Sequence, residues 1–313
     1  MHTTSTWTPS SVSAIHLLRA SLCVVCLAAA CGDDAEPADD AGSAGTPPLP
    51  AAGASGAVGA SGSAAGSSGS AGGAAGSGGA TEHFSFFVTS WTALQRVSKS
   101  ANGFGGDLRY GEANGLSGAD KICREIAETA MPGAGAKVWR AFLSVTKGPN
   151  GKAVNAIDRV GEGPWYDRLG RVVAKTKADL NQTRPKGADT AIINDLPNED
   201  GVPNHAPDGK QVDNHDMLTG TGETGQLFST DWKYTCHDWT SSVGGDGTPR
   251  VGHSWPRSGG GGKTSGANWM SALNEAGCAP GASLVEMGGP KPENPTVGSG
   301  GGYGGFYCFA LTP

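Results

Sequence analysis

The sequence has few charged residues, few aromatic residues and only a small excess of acidic over basic side chains. Charged residues make up 17% and aromatics 7% of the 313 residues, whereas glycine contributes 52 residues, more than twice its usual share of about 7%. Residues 1–30 contain one base, Arg19, and residues 31–80 contain five acids and no base. Residues 81–313 therefore carry 22 basic and 24 acidic side chains. Such a balance lacks the positive field that nucleic acid binding requires, so we expect no nucleic-acid partner.

The sequence also lacks an apolar run long enough to span a membrane. The apolar stretch 20–30 would form a helix of roughly 16 Å, about half the thickness of a bilayer's hydrocarbon core. It follows Arg19 and ends in three alanines before Cys31, which is typical of an export signal. Residues 28–31 resemble the lipobox of bacterial lipoproteins, with Ala28 where that family usually has Leu. The resemblance implies removal of residues 1–30 and acylation of Cys31. Simple secretion with cleavage near Ala30 and an uncleaved anchor are the alternatives.

The segment 32–80 consists almost entirely of Gly, Ala, Ser and Pro and contains no aromatic residue. It offers too little apolar surface to offset the backbone entropy lost on folding, so we expect a flexible tether. Gly32 rather than Asp follows Cys31, which favours lipid anchoring at the outer membrane or cell surface, with the membrane as a partner. The chain then divides into a signal (1–30), a lipidated linker (31–80) and one domain (81–313).

Four of the seven cysteines lie in this domain: Cys123, Cys236, Cys278 and Cys308. An even number in an exported domain predicts two disulfides, with three ways of pairing them. Zinc motifs place their cysteines about two to four residues apart. These four are far more widely spaced, which favours disulfides over a metal.

The sequence pattern predicts a mixture of helices and strands, which is the α+β class. Ser117 and Asp120 form a capping-box pattern that predicts the start of a helix running to about Thr129. Small and apolar residues recur at helical spacing within it and include Cys123, so one face should be buried. Strands are predicted from β-branched and aromatic runs at Phe84–Thr89, Val138–Ser144, Trp165–Asp167, Arg171–Ala174, Leu218–Thr221, Lys233–Trp239 and Phe306–Leu311.

A series of short strings resembles, in the same order, the endostatin domain at the end of collagen XVIII. They are Leu116-Ser117-Gly118-Ala119-Asp120 with Cys123, Trp139-Arg140-Ala141-Phe142-Leu143-Ser144, Asp158-Arg159, Leu218-Thr219-Gly220-Thr221, Cys236 with Trp239, Cys278, and Tyr307-Cys308. They also resemble a group of bacterial lipoprotein domains of endostatin-like pattern. The resemblance covers about residues 84–311. It implies a C-type-lectin-like fold, which is a twisted antiparallel sheet with two helices and long Gly-rich loops. It also implies the disulfides Cys123–Cys308 and Cys236–Cys278.

Two ligand sites of the similar families are not carried over to this chain. Endostatin's zinc site uses a histidine cluster at the start of its domain, where this chain has only His83, and the arginine surface that binds heparin is missing. Sugar-binding C-type lectins use Glu-Pro-Asn around calcium, whereas residues 292–295 read Pro-Glu-Asn-Pro.

No catalytic residue set is evident, so the prediction is a protein that is not an enzyme. Residues 257–264 end like a phosphate-binding loop but follow Trp255-Pro256 instead of a strand. Residues 300–305 match a dinucleotide-binding glycine pattern too close to the end of the sequence for the helix that must follow. Residues 252–255 lack the second glycine of a nucleophile elbow.

Residues 194–216 form the one stretch rich in polar ligands. The candidate calcium ligands in it are Asp195, Asp200, Asp213 and Asp216, because calcium takes six to eight oxygen ligands in flexible geometry. The EF-hand pattern fails, because Leu196 stands at its first position. Zinc at the histidines of this stretch and a solvated loop of turn-forming residues are the alternatives.

Tryptophans provide the other candidate site. Trp255 and Trp269 lie in Gly-rich surroundings, so we expect an exposed platform for stacking on sugars, whereas Trp239 should lie in the core. The predicted function is a surface-anchored binding or adhesion module for carbohydrate or another extracellular polymer. The alternatives are a structural envelope protein without a soluble ligand and a hydrolase that uses carboxylates of the 194–216 stretch.

Overall fold

The computed structural model of the protein describes residues 83–205, 214–256, 268–284 and 289–313. The predicted signal, Cys31 and the linker lie outside these residues. The helices are α1 (Trp91–Ser98), α2 (Gly115–Ala130) and the single turn α3 (Lys177–Leu180). The strands are β1 (Phe86–Val88), β2 (Trp139–Ala141), β3 (Trp165–Tyr166), β4 (Val172–Ala174), β5 (Asp216–Leu218), β6 (Arg250–His253), β7 (Leu273–Asn274), β8 (Gly302–Gly305) and β9 (Tyr307–Ala310). Within the described ranges no helix is long and apolar enough to cross a membrane.

The strands form two open sheets and one hairpin. The first sheet has the order β1-β9-β2, is antiparallel throughout and pairs the first strand of the domain with the last. The second has the order β7-β6-β5-β8, with β5 and β8 parallel and the other pairs antiparallel. Strands β3 and β4 form the hairpin. The predicted α+β class is therefore confirmed.

Helix α2 confirms the predicted apolar face but begins earlier than predicted. Ala119, Ile122 and Cys123 are fully buried. The N-cap is Asn114, whose side chain accepts a hydrogen bond from the backbone N–H of Ser117. The predicted capping box at Ser117 is wrong, because the carboxylate of Asp120 instead binds the guanidinium groups of Arg140 and Arg159.

Two disulfides connect distant parts of the domain. Cys123–Cys308 joins α2 to β9, and Cys236–Cys278 closes the loop that contains β6 and β7. Their Cα atoms lie 5.6 and 5.7 Å apart. These are the two pairs that the resemblance implied.

The segment predicted as a strand at Lys233–Trp239 is instead a 3₁₀ helix followed by a left-handed turn. A 3₁₀ helix covers Trp232–Thr235, and the turn Cys236–Trp239 has four successive left-handed residues with φ of 47°, 57°, 58° and 63°. The β-branched and aromatic residues that predicted a strand here instead lie in a loop whose backbone is fixed by tertiary contacts. The Cys236–Cys278 bridge and the indole of Trp239, which donates to the Ser144 carbonyl, hold this backbone.

Candidate functional site

Trp269 is fully buried, so the prediction of an exposed platform is wrong for this residue. Its ring lies 5.0 Å from the ring of Phe142. Its indole N–H donates to the carbonyl of Leu180 at 2.9 Å, and its own carbonyl accepts from the hydroxyl of Tyr307. Trp269 is therefore a core residue that joins α3 to the first sheet.

Trp255 is half-buried and stacks on His205. The two ring centroids lie 3.7 Å apart with an angle of 4° between the planes. One face of the indole is thus covered by a side chain of the protein. The indole therefore offers less free ring surface for stacking on a sugar than an exposed platform would.

The predicted calcium ligands do not come together among the described residues. Asp200 is exposed, whereas Asp195 accepts the backbone N–H of His205 and has a pKa raised by burial to about 7. Asp213 lies outside the described residues. Across the described ranges, the group of three His, Cys, Asp or Glu ligands that could share one ion contains Asp216 but neither Asp195 nor Asp200.

Asp216 instead belongs to a buried cluster with two histidines and a second carboxylate, which we call the His–carboxylate cluster (His215, Asp216, His253 and Glu275). The pairing of β5 with β6 places Asp216 opposite His253. Nε2 of His253 lies 3.0 Å from Oδ1 of Asp216, and Nε2 of His215 lies 3.7 Å from the same oxygen. Burial, and then the negative charge of Asp216, raise the pKa of Glu275 well above its usual value.

A second group of side chains lies at the surface, and we call it the aromatic surface (Phe228, Trp232, Tyr234 and His237). The side chain of Trp232 is 46% exposed and that of Phe228 39%. The rings of Trp232 and His237 lie 3.5 Å apart, and the rings of Phe228 and Tyr234 lie 5.0 Å apart. Cations flank it, because Lys233 lies over Tyr234 and Arg250 over Phe228.

A cleft of about 250 Å³ adjoins this surface and shares His237 with it. Its polar lining includes Asn114, Lys147, Asp238 and Thr240, and Val145 and Pro149 contribute apolar wall. The aromatic surface and the cleft therefore meet at His237.

The left-handed turn presents His237 to this site. A left-handed residue other than glycine costs roughly 1–2 kcal/mol, and such backbone persists only where surrounding contacts hold it. Here the Asp238 carboxylate accepts hydrogen bonds from the backbone N–H and hydroxyl of Thr146, at 2.6 and 2.9 Å, and from the backbone N–H of Lys147 at 3.0 Å. Those bonds fasten the turn to the wall of the cleft.

Sequence reasoning did not find His253 or Glu275 and did not choose Trp232. His253 was considered only within an incomplete nucleophile elbow, and Glu275 lies in no recognisable motif. The pairing of β5 with β6 brings His253 to Asp216, and the sequence contains no signal for that register. Trp232 has no Gly-rich surroundings, the local feature that singled out Trp255 and Trp269.

No protein-family model matches the chain, and no curated protein matches it.

Proposed function

We propose that the protein is an exported, lipid-anchored module of a bacterial surface that binds carbohydrate or another extracellular polymer. The observation that carries the proposal is the aromatic surface with its adjoining cleft, where Trp232 is 46% exposed and packs on His237. An exposed tryptophan in a soluble domain is a frequent contact residue, since its ring is apolar and its N–H is polar.

Carbohydrate is the ligand class that fits this chemistry. A sugar ring has an apolar C–H face that stacks on an aromatic ring, and hydroxyls that need hydrogen-bond partners. Trp232 offers the ring, and Asn114, Lys147 and His237 offer polar groups in the cleft. A volume of about 250 Å³ lies just below the ~300–1,000 Å³ of typical small-molecule pockets. It suits one sugar unit or the end of a polymer.

A glycan array with the purified protein tests the site. We expect saturable binding to at least one glycan and a loss of about tenfold or more in affinity for Trp232→Ala, the size of a contact worth ~1.4 kcal/mol or more. The control is Leu169→Ala, because Leu169 is 59% exposed and lies in the β3–β4 hairpin turn. Unchanged binding of Trp232→Ala would place the ligand elsewhere. Absence of binding to every glycan would favour the structural envelope protein.

The anchor and the fold family are proposals that rest on the sequence resemblances. Acylation of Cys31 predicts that Cys31→Ser leaves unprocessed precursor or soluble protein, which detergent-phase partitioning measures. Unchanged processing and partitioning would refute the anchor. Two features support a C-type-lectin-like fold: the pairing of the first and last strands and the two disulfides.

A further inference from the structure

We propose that the His–carboxylate cluster is a binding site for one divalent transition-metal ion of the zinc class. It is separate from the aromatic surface and does not depend on the proposed carbohydrate binding. The site joins the start of β5, the end of β6 and the residue that follows β7.

The spacing of the ligand atoms in the cluster fits a metal ion. Ligand atoms about 2.0–2.1 Å from a tetrahedral zinc ion lie about 3.3–3.4 Å from one another. The distances from Oδ1 of Asp216 to Nε2 of His253 and of His215, 3.0 and 3.7 Å, lie on either side of that value. One ligand atom from each of these three residues lies within 4.8 Å of the others.

Several buried polar atoms of the cluster have no hydrogen-bond partner. They are Oδ2 of Asp216, Nδ1 of His253 and Oε1 of Glu275, whereas Oδ1 of Asp216 and Nε2 of His253 face each other at 3.0 Å. Asp216 and Glu275 are fully buried and His253 is 5% exposed. An unsatisfied buried polar group costs about 1–3 kcal/mol, and more if it is charged. A bound cation would satisfy several of these atoms at once.

The charge of the cluster points to the same conclusion. Two carboxylates lie side by side in the protein interior, and in the described residues neither forms an ion pair with Lys or Arg. The guanidinium group of Arg250, on β6, instead donates hydrogen bonds to the side chains of Ser271 and Asn274. A dication would neutralise both carboxylates. The competing arrangement is one proton shared between Asp216 and Glu275 with no metal.

The ligand types select the class of ion. Imidazole nitrogens are preferred by zinc and its first-row neighbours, whereas calcium takes six to eight oxygens. The two imidazoles and the Asp216 carboxylate supply three ligands, and zinc sites with three protein ligands take a further ligand in the fourth position. The backbone encloses it closely, because a Cβ at Gly300 would lie 3.0 Å from Oδ2 of Asp216. An ion bound there would connect strands that are far apart in the sequence.

The test uses the purified full chain without a polyhistidine tag, stripped with chelator and titrated with zinc chloride in a calorimeter. We expect about one equivalent of zinc and a rise in the unfolding temperature when zinc is added. His253→Gln and Asp216→Asn should each weaken binding by more than the ~10–100-fold typical of changes in outer-shell partners. The matched control is His83→Gln, because that histidine is exposed and lies outside both the cluster and the aromatic surface.

Three outcomes would overturn the proposal: no zinc bound by the stripped chain, zinc affinity unchanged in His253→Gln, or equal losses in His253→Gln and His83→Gln. The first would favour the shared-proton arrangement. Should a cluster variant fail to fold, X-ray absorption at the zinc edge of the native loaded chain decides, because the proposal requires two imidazole ligands and no sulfur.

Discussion

Trp269 and Trp232 show how one residue type takes opposite roles in this domain. Trp269 follows a Gly-rich stretch, yet its ring packs on Phe142 and Tyr307 and is fully buried. Trp232 lies at the surface and packs mainly on His237. Local composition favoured Trp269 rather than Trp232 as the exposed residue. That prediction was wrong because the glycine content around a residue does not indicate which distant side chains pack on it. Both partners of Trp269 are far away in the sequence.

The two tryptophans should therefore differ in their effect on stability. Trp269→Ala removes a buried ring and leaves a cavity, so we expect a loss of about 3–5 kcal/mol in the free energy of unfolding. Trp232→Ala should change it by no more than about 0.5–1 kcal/mol, because surface substitutions away from special features have small effects. Urea unfolding followed by circular dichroism measures both. Equal losses for the two variants would contradict the burial described here.

Among the secondary-structure elements, α2 could be predicted from the sequence, whereas the left-handed turn and the His–carboxylate cluster could not. The face of α2 is set by residues three and four apart, so its pattern can be read locally. The left-handed turn depends on a disulfide to Cys278 and on bonds from Asp238 to Thr146. The His–carboxylate cluster depends on strand register. Neither kind of long-range contact leaves a local pattern in the sequence.

Helix α1 offers a test at its C-terminal end. The helix ends at Ser98, and its C-cap is Lys99, an exposed residue in the left-handed conformation with φ of 58°. Glycine adopts this conformation without the penalty of roughly 1–2 kcal/mol that other residues incur. Glycine also makes the unfolded chain more flexible, which lowers the stability of the folded state by about 0.4–1 kcal/mol. We expect Lys99→Gly to stabilise the domain by about 0.5–1 kcal/mol.

The control for this prediction is Arg96→Gly, which changes an exposed residue inside the last turn of the same helix. Glycine in a helix interior costs about 0.8–1 kcal/mol relative to alanine. The two glycine substitutions, three residues apart, should therefore shift the urea midpoint in opposite directions. A shift in the same direction for both would show that the end of α1 is not held in the left-handed conformation in solution.

At the scale of the whole molecule, the two disulfides connect segments that are far apart in the sequence. Cys123 and Cys308 are 185 residues apart, and Cys236 and Cys278 are 42 apart. Restricting the unfolded chain over these lengths stabilises the folded state by about 5 and about 4 kcal/mol, as upper values. Native domains are stable by only about 5–15 kcal/mol. Each bridge is therefore a large part of the total.

The two bridges should be separable by what their loss affects. All four cysteines are fully buried, so paired replacement by alanine avoids adding buried hydroxyls. Removing Cys123 and Cys308 should lower the free energy of unfolding most, because the longer loop is released and β9 loses its tie to α2. Removing Cys236 and Cys278 should cost less stability but should also free the turn that carries His237, so binding at the aromatic surface should weaken. Measuring unfolding and glycan binding on both variants distinguishes the effects. A greater loss of stability from the shorter loop, with binding intact, would mean that Asp238 and Trp239 hold the turn without the disulfide.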